Sequence, residues 1–200
     1  MTAGIEGYER HLSLFIESSQ ALDFHVVCKD FVEFLPSKKS RVLDVGSGAG
    51  QNAAALDGLG FEVTAIEPMH EFRRSAQGIY EKTPVKWLDG SLPELSCLET
   101  GIEKFDFVLI EGVWHHLNEI EQEKAAVRIS EILNPKGKCA ISLRNGPPGL
   151  GSRVYPTDPS HTKQLFGDLG FNCIFKKENL DSILPNKKDV KWSRIVLQKR

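Results

Sequence analysis

From residue 41 to residue 169 short apolar runs alternate with segments of helical length, and no other feature of the sequence constrains the fold as tightly. Arg41–Val45 is a brief apolar run closed by glycines, as expected of a strand buried in a parallel sheet. Residues 51–59 read as a helix stopped by Gly60, 61–66 as a second strand, 69–82 as a helix and 85–88 as a third strand. Phe105–Ile110 is the most apolar strand, 119–133 a helix stopped at Asn134-Pro135, and 138–143 a fifth strand. Residues 157–169 form a helix pattern with Asp158 as its cap and Gly170 as its stop. Two strands, 171–176 and 190–197, close the chain with a Pro-containing connector, 179–188, and no helix between them. Strands alternating with helices build βαβ units and a parallel sheet covered on both faces. The expectation is an α/β fold: a seven-stranded, mostly parallel, doubly wound (Rossmann-like) sheet with helices on both faces and an antiparallel last strand. Ahead of it, residues 8–35 carry apolar positions three and four apart (Leu12, Phe15, Ile16, then Leu22, Val26, Val27, Phe31, Leu35) and read as helical up to Pro36. The division is an N-terminal helical segment, 1–36, and one α/β domain, 37–200.

Composition narrows the partners. A chain of 200 residues with 40% hydrophobic residues can bury a core without a disulfide or metal staple. The net charge of −2 argues against global attraction to nucleic acid or an anionic membrane. No apolar run approaches the roughly 20 residues of a membrane span, and the acidic first residues are no signal peptide. Cys28, Cys97, Cys139 and Cys173 are far apart and form no CxxC, which argues against a zinc site and a secreted scaffold and for the reducing cytoplasm. Charge is uneven: residues 176–200 hold eight basic and three acidic side chains, leaving the rest of the chain at −7. Lys176, Lys177, Lys187, Lys188, Lys191 and Arg194 are read as a soluble edge of the sheet and not as a substrate track.

In open α/β sheets ligands bind beyond the carboxyl ends of the strands, so the candidate chemistry lies at those ends. The first strand runs into Asp44-Val45-Gly46-Ser47-Gly48-Ala49-Gly50, where glycines let a ligand approach the backbone at a helix N-terminus. The dinucleotide fingerprint would need a sixth-position glycine, where this chain has Gln51. Asp44 would repel a pyrophosphate and suit a ligand with positive charge. Glu67, before Pro68 at the second strand end, can accept hydrogen bonds from both ribose hydroxyls. Asp89, in Asp89-Gly90-Ser91 after the third strand, can accept from an adenine amino group, or simply form a turn.

These residues resemble the class I S-adenosylmethionine-dependent methyltransferases. The resemblance rests on VLDVGSGAG (42–50), AIEP (65–68), DGSL (89–92), FDFVLIEGVWHHL (105–117) and LNPKGKCAISL (133–143), blocks that stand in the family's order. It implies S-adenosyl-L-methionine across the strand tips, held by Asp44, Gly46, Ser47, Gly48, Gly50, Gln51, Asn52, Glu67, Pro68, Asp89, Gly90, Ser91, Glu111 and Val113. It also implies that the 1–36 segment caps the site and that the loop after the fourth strand passes near the reactive methyl. His115 and His116 are therefore the catalytic candidates, and either can orient an acceptor or take its proton. A His pair without a third ligand at metal spacing points to no metal. Trp114 reads as an apolar wall, and Arg144, Arg153 and Tyr155, in the long loop after the fifth strand, as substrate contacts. The expected function is methyl transfer to a small molecule. No Asn-Pro-Pro-Tyr or Asp-Pro-Pro-Tyr block and no Pro-Cys nucleophile marks a nucleic-acid enzyme. RNA or protein acceptors, a non-catalytic cofactor-binding module and a nicotinamide oxidoreductase remain the alternatives, with Asp44 and Gln51 speaking against the last. The acceptor and the oligomeric state are not encoded in any motif.

Overall fold

The structure, a computed structural model, describes residues 5–99, 101–184 and 187–200. Seven strands, β1 (Arg41–Val45), β2 (Glu62–Ile66), β3 (Lys86–Leu88), β4 (Phe105–Ile110), β5 (Leu133–Asn145), β6 (Phe171–Asp181) and β7 (Lys191–Lys199), form one sheet in the order β3-β2-β1-β4-β5-β7-β6. The first five pair in parallel, and β7 lies antiparallel between β5 and β6. The chain order reverses between β1 and β4, the switch point where such sheets open a crevice.

Side chains alternate along the central strands. Leu43, Val45, Val108 and Ile110 face one core, with α5 (Glu119–Ile132) and α6 (Pro159–Asp168). Val42, Phe107 and Leu109 face the other, with α2 (Phe24–Val27) and α3 (Gln51–Gly58). Both faces of these strands are thus dry, which is why they read as continuous apolar runs. Asn118 caps α5 by accepting from the Glu121 amide at 3.0 Å, and the Glu121 carboxylate accepts from the Asn118 amide at 2.8 Å. Asp158 caps α6 through the Ser160 amide at 2.8 Å.

The N-terminal segment is broken where the periodicity predicts one helix. A 3-10 turn at Tyr8–Arg10 is followed by α1 (Leu12–Gln20), α2 and a second 3-10 turn at Val32–Phe34. Asp23 explains the break: its side chain accepts from the His25 amide at 2.7 Å and starts a new helix. Bent this way, the segment lies over the strand tips. Phe15 of α1 stacks on Phe72 of α4 (His70–Ile79) with ring centroids 4.4 Å apart. Gln20 donates to the Ala49 carbonyl at 2.9 Å, and the Tyr80 hydroxyl donates to Gln20 at 2.5 Å.

The closing strands differ from expectation in depth. β7 is an interior strand, so Arg194 is buried, its guanidinium paired with Glu111. The solvated-edge reading holds for Lys176, Lys177, Lys188 and Lys191, which are exposed; it fails for Lys187, which is half-buried, and for Arg194, because the strand after the connector inserts beside β5. Pro185, in the predicted connector, lies outside the described residues.

Candidate active site

A cavity of about 550 Å³ opens over the tips of β1, β2 and β4. The β1–α3 turn forms its floor. Gly46 has φ 71° and Gly50 φ 87°, the left-handed region where side chains strain the backbone. A Cβ on Gly46 would stand 2.3 Å from Val113, and one on Gly50 2.6 Å from Trp87. Gly50 therefore serves the packing of the turn on Trp87 and Ala76 and does not line the cavity, a departure from its expected cofactor contact.

Three carboxyl groups sit under or beside this floor. Asp44 is buried, and Glu111 and Glu67 add their repulsion, so its carboxyl is pushed up to about 7. Glu67 is likewise pushed up to about 7 by burial, against the opposing hydrogen bonds from Met69 and Gly48. Its carboxylate accepts from the Met69 amide at 2.8 Å and the Gly48 amide at 3.0 Å, which ties the second strand end to the glycine turn. Burial also raises Glu111, with Arg194 acting in the other direction. Around them Asp44 Oδ2, Ser47 Oγ, Gln51 Oε1 and Asn52 Oδ1 are buried with no protein partner. Unpaired buried polar groups cost stability unless a ligand satisfies them. This donor and acceptor set, with clustered negative charge, fits a nucleoside carrying positive charge.

The opposite wall carries the histidines. His116 Nδ1 lies 2.6 Å from the Arg153 carbonyl, and a carbonyl only accepts, so Nδ1 holds the proton. Nε2 is left to accept from the Tyr8 hydroxyl at 3.3 Å. Both ring nitrogens of His116 are thereby engaged. His115 differs: its Nδ1 is buried without a partner, and burial, then His116, Arg144 and Lys187, hold it well below the usual imidazole range. Its ring packs 4.1 Å from His116 and edge-on to Trp192 at 6.2 Å. Burial, with Glu67 adding to it and Arg144 opposing, pushes the Tyr8 phenol up to about 12.

Of the residues singled out in the sequence, the structure brings Gly46, Ser47, Gly48, Gln51, Asn52, Glu67, Pro68, Ser91, Glu111, Val113, His115, His116 and Arg144 around this cavity. Asp44 lies beneath its floor. Others stand elsewhere. Asp89 is exposed and pairs with Arg73 at 2.8 Å, turned away from the cavity. Gly90 packs against Cys97, where a Cβ would stand 2.6 Å from the sulfur. Trp114 is wholly buried and packs on Phe166 in the α5–α6 core, so it is no cavity wall. Arg153 donates to both carboxylate oxygens of Glu121 at 2.9 Å and lies over the Tyr155 ring; the α5 capping residue anchors the loop through it. Tyr155 joins the same anchor, its amide donating to the His115 carbonyl at 2.8 Å. Among the described residues no group of three metal-binding side chains occurs.

Sequence reasoning missed Tyr8, Phe15, Phe72, Lys187, Trp192 and Arg194, all of which line the cavity. Trp192 and Arg194 carried a signal in their i, i+2 spacing, which puts a large ring and a cation on one face of a strand. The others come from segments whose position no local pattern encodes.

The comparisons agree with this architecture. Residues 43–141 match a methyltransferase domain family. An uncharacterised methyltransferase of Alkaliphilus oremlandii is 31% identical over 106 residues, 52% of this chain and 46% of that protein, so the chain spans about half the length of this relative. A TehB-like SAM-dependent methyltransferase from Corynebacterium glutamicum superposes with a TM-score of 0.68 at 16% identity, over 97% of this chain and 98% of that one. Magnesium protoporphyrin IX methyltransferase from Synechocystis, solved with bound SAM, gives a TM-score of 0.70 at 15% identity, over 94% and 84% of the two chains. At these identities the structures share the fold.

Proposed function

The chain belongs to the class I S-adenosylmethionine-dependent methyltransferases, and from that membership we propose that it methylates a small-molecule acceptor inside the cavity described above. The observation that carries this reading is the cluster of buried carboxyls and unpartnered polar atoms around the glycine turn. Gly46, Ser47, Gly48, Gln51, Asn52, Glu67 and Glu111 would hold the cofactor, with Asp44 supplying charge from below. When bound, S-adenosylmethionine supplies a methyl group already activated by its sulfonium, so the protein needs alignment more than a nucleophile.

The remaining work falls to this chain's own side chains. His115 is neutral, lines the cavity and has no hydrogen bond to its ring among the described residues, so it can accept the proton of an O–H or N–H acceptor. His116 and Tyr8 hold one wall in place through their mutual hydrogen bond. Residues of the N-terminal segment and of the β6–β7 connector, among them Tyr8, Phe15 and Leu184, wall the cavity, and a concave site of this size supports a small acceptor over an RNA or protein chain. We assign residues 5–36, the described part of the 1–36 segment, the role of cap on the same ground. Four unpaired cysteines fit a reducing cytoplasm, and among the described residues no helix is long and apolar enough to cross a membrane.

Calorimetric titration with S-adenosylhomocysteine, followed by assay of its release from S-adenosylmethionine with pooled metabolites, tests the reading. Binding together with acceptor-dependent release is the expected result. No heat at high micromolar ligand would remove the reading, and binding without turnover on any pool would favour a non-catalytic module.

A further inference from the structure

The charges that line the cavity are sorted by position. Its acidic groups already have partners within the protein: Glu111 pairs with Arg194, Asp30 with Lys177 at 2.5 Å, Asp181 with Lys191, and Glu67 is satisfied by two amides. Lys29, which is exposed, has no carboxylate partner among the described residues, and neither do two less exposed cations on the histidine side. Arg144 is buried and, among the described residues, donates only to the Gly146 and Pro147 carbonyls, at 3.4 and 2.6 Å. Lys187 is half-buried, and its ammonium stands 3.8 Å from where a Cβ on Gly149 would be. Neither has a carboxylate partner among the described residues. They repel each other: burial and then the Arg144 charge lower the Lys187 ammonium.

Two unpaired cations held together in a half-buried pocket cost free energy unless an anion joins them. Tyr8 and His115, on the same wall, supply no such anion. The Tyr8 phenol stays protonated, and His115 is neutral. Trp192, which pairs with Arg144 across β5 and β7 and has the Arg194 guanidinium over its ring 5.3 Å from the centroid, lines the same cavity.

We propose that the acceptor is a small organic anion whose charged group sits between Arg144 and Lys187, with its apolar body against Trp192. This rests on the methyltransferase reading only in naming the bound molecule an acceptor; the anion site itself follows from the charges. An anion there also removes the field that Arg144 and Lys187 impose on His115, which makes His115 a stronger base when the acceptor is seated.

The test uses benzoate and phenyl phosphate against neutral benzamide, titrated into the full chain with S-adenosylhomocysteine present and with ligand binding followed by NMR. At least one anion should bind about ten-fold or more tighter than benzamide, the value of one charge-assisted hydrogen bond in such a site. The two anions distinguish a carboxylate from a phosphate. Lys187→Gln should reduce the preference several-fold, with Arg144 keeping the remainder, and Lys187→Arg should retain it. Equal binding of all three probes, or an anion preference unchanged by Lys187→Gln, overturns the proposal. Titration of S-adenosylhomocysteine alone keeps the two readings apart. If it fails to bind wild type, the methyltransferase reading falls; if it binds and no anion is preferred, only the anionic acceptor falls.

Discussion

The two halves of the cavity are built on opposite plans. The half at the tips of β1, β2 and β4 is made from turns that directly follow strands, and its charge is negative: Asp44, Glu67 and Glu111 each raise or feel the repulsion of another carboxyl. The other half is assembled from three segments distant in sequence, around Tyr8, Arg144 and Lys187, and its unpaired charge is positive. One half therefore suits a cationic nucleoside and the other an anion. The difference teaches that polarity across one cavity can assign its two ligands before either is seen.

The largest effect should follow from Glu67→Ala, which removes the carboxylate joining the Gly48 and Met69 amides. S-adenosylhomocysteine affinity should fall by about 2–4 kcal/mol, read by calorimetry. An unchanged affinity would break the comparison on its negative side.

His115→Gln should lower turnover by about 10²-fold while leaving S-adenosylhomocysteine affinity near that of wild type. His116→Gln should act differently, since both nitrogens of His116 are committed to Arg153 and Tyr8: its melting temperature should drop more than that of the His115 variant. Equal losses at both positions would assign the pair to packing alone.

Asp44 connects stability to pH. Its folded carboxyl sits at about 7, above its unfolded value, so between those two values the native state binds more protons than the unfolded state. The ligand-free protein should lose stability as pH rises from the unfolded value to about 7, then level off. Asp44→Asn should reduce that slope, leaving the share that Glu67 contributes, and raise stability at pH 8 by roughly 1–3 kcal/mol while weakening cofactor binding. A melting series from pH 5 to pH 8 shows the slope; a wild-type curve that rises with pH through this range would contradict the buried negative cluster.

The smallest effect belongs to the outer charges. Lys191→Ala breaks an exposed pair with Asp181 and should change stability by less than about 0.5 kcal/mol in denaturant melts. A larger loss would place Lys191 with Lys187 as part of the cationic half.

Legibility followed the same division. The strand-tip turns were readable because the strand, the turn glycines and the helix start are contiguous, and Arg41–Val45 and Phe105–Ile110 carry their burial in their own apolar runs. Asp89 shows the limit even there: the Asp-Gly turn was visible, but Arg73, sixteen residues earlier on α4, captures the carboxylate and turns it outward. Arg153 failed for a similar reason, since the residue that claims it, Glu121, lies on a helix 32 positions upstream.

By itself the sequence determined the α/β alternation, the glycine turn and the acids placed after successive strands, because period-2 burial and turn geometry act over a few residues. Tertiary structure alone decided which cations remain unpaired. Arg194 is neutralised because β7 inserts between β5 and β6 and brings it to Glu111, whereas Arg144 and Lys187 face the cavity without an acid within reach. Charge pairing depends on distances of a few ångströms between residues far apart in the chain, and only the closed sheet sets those distances.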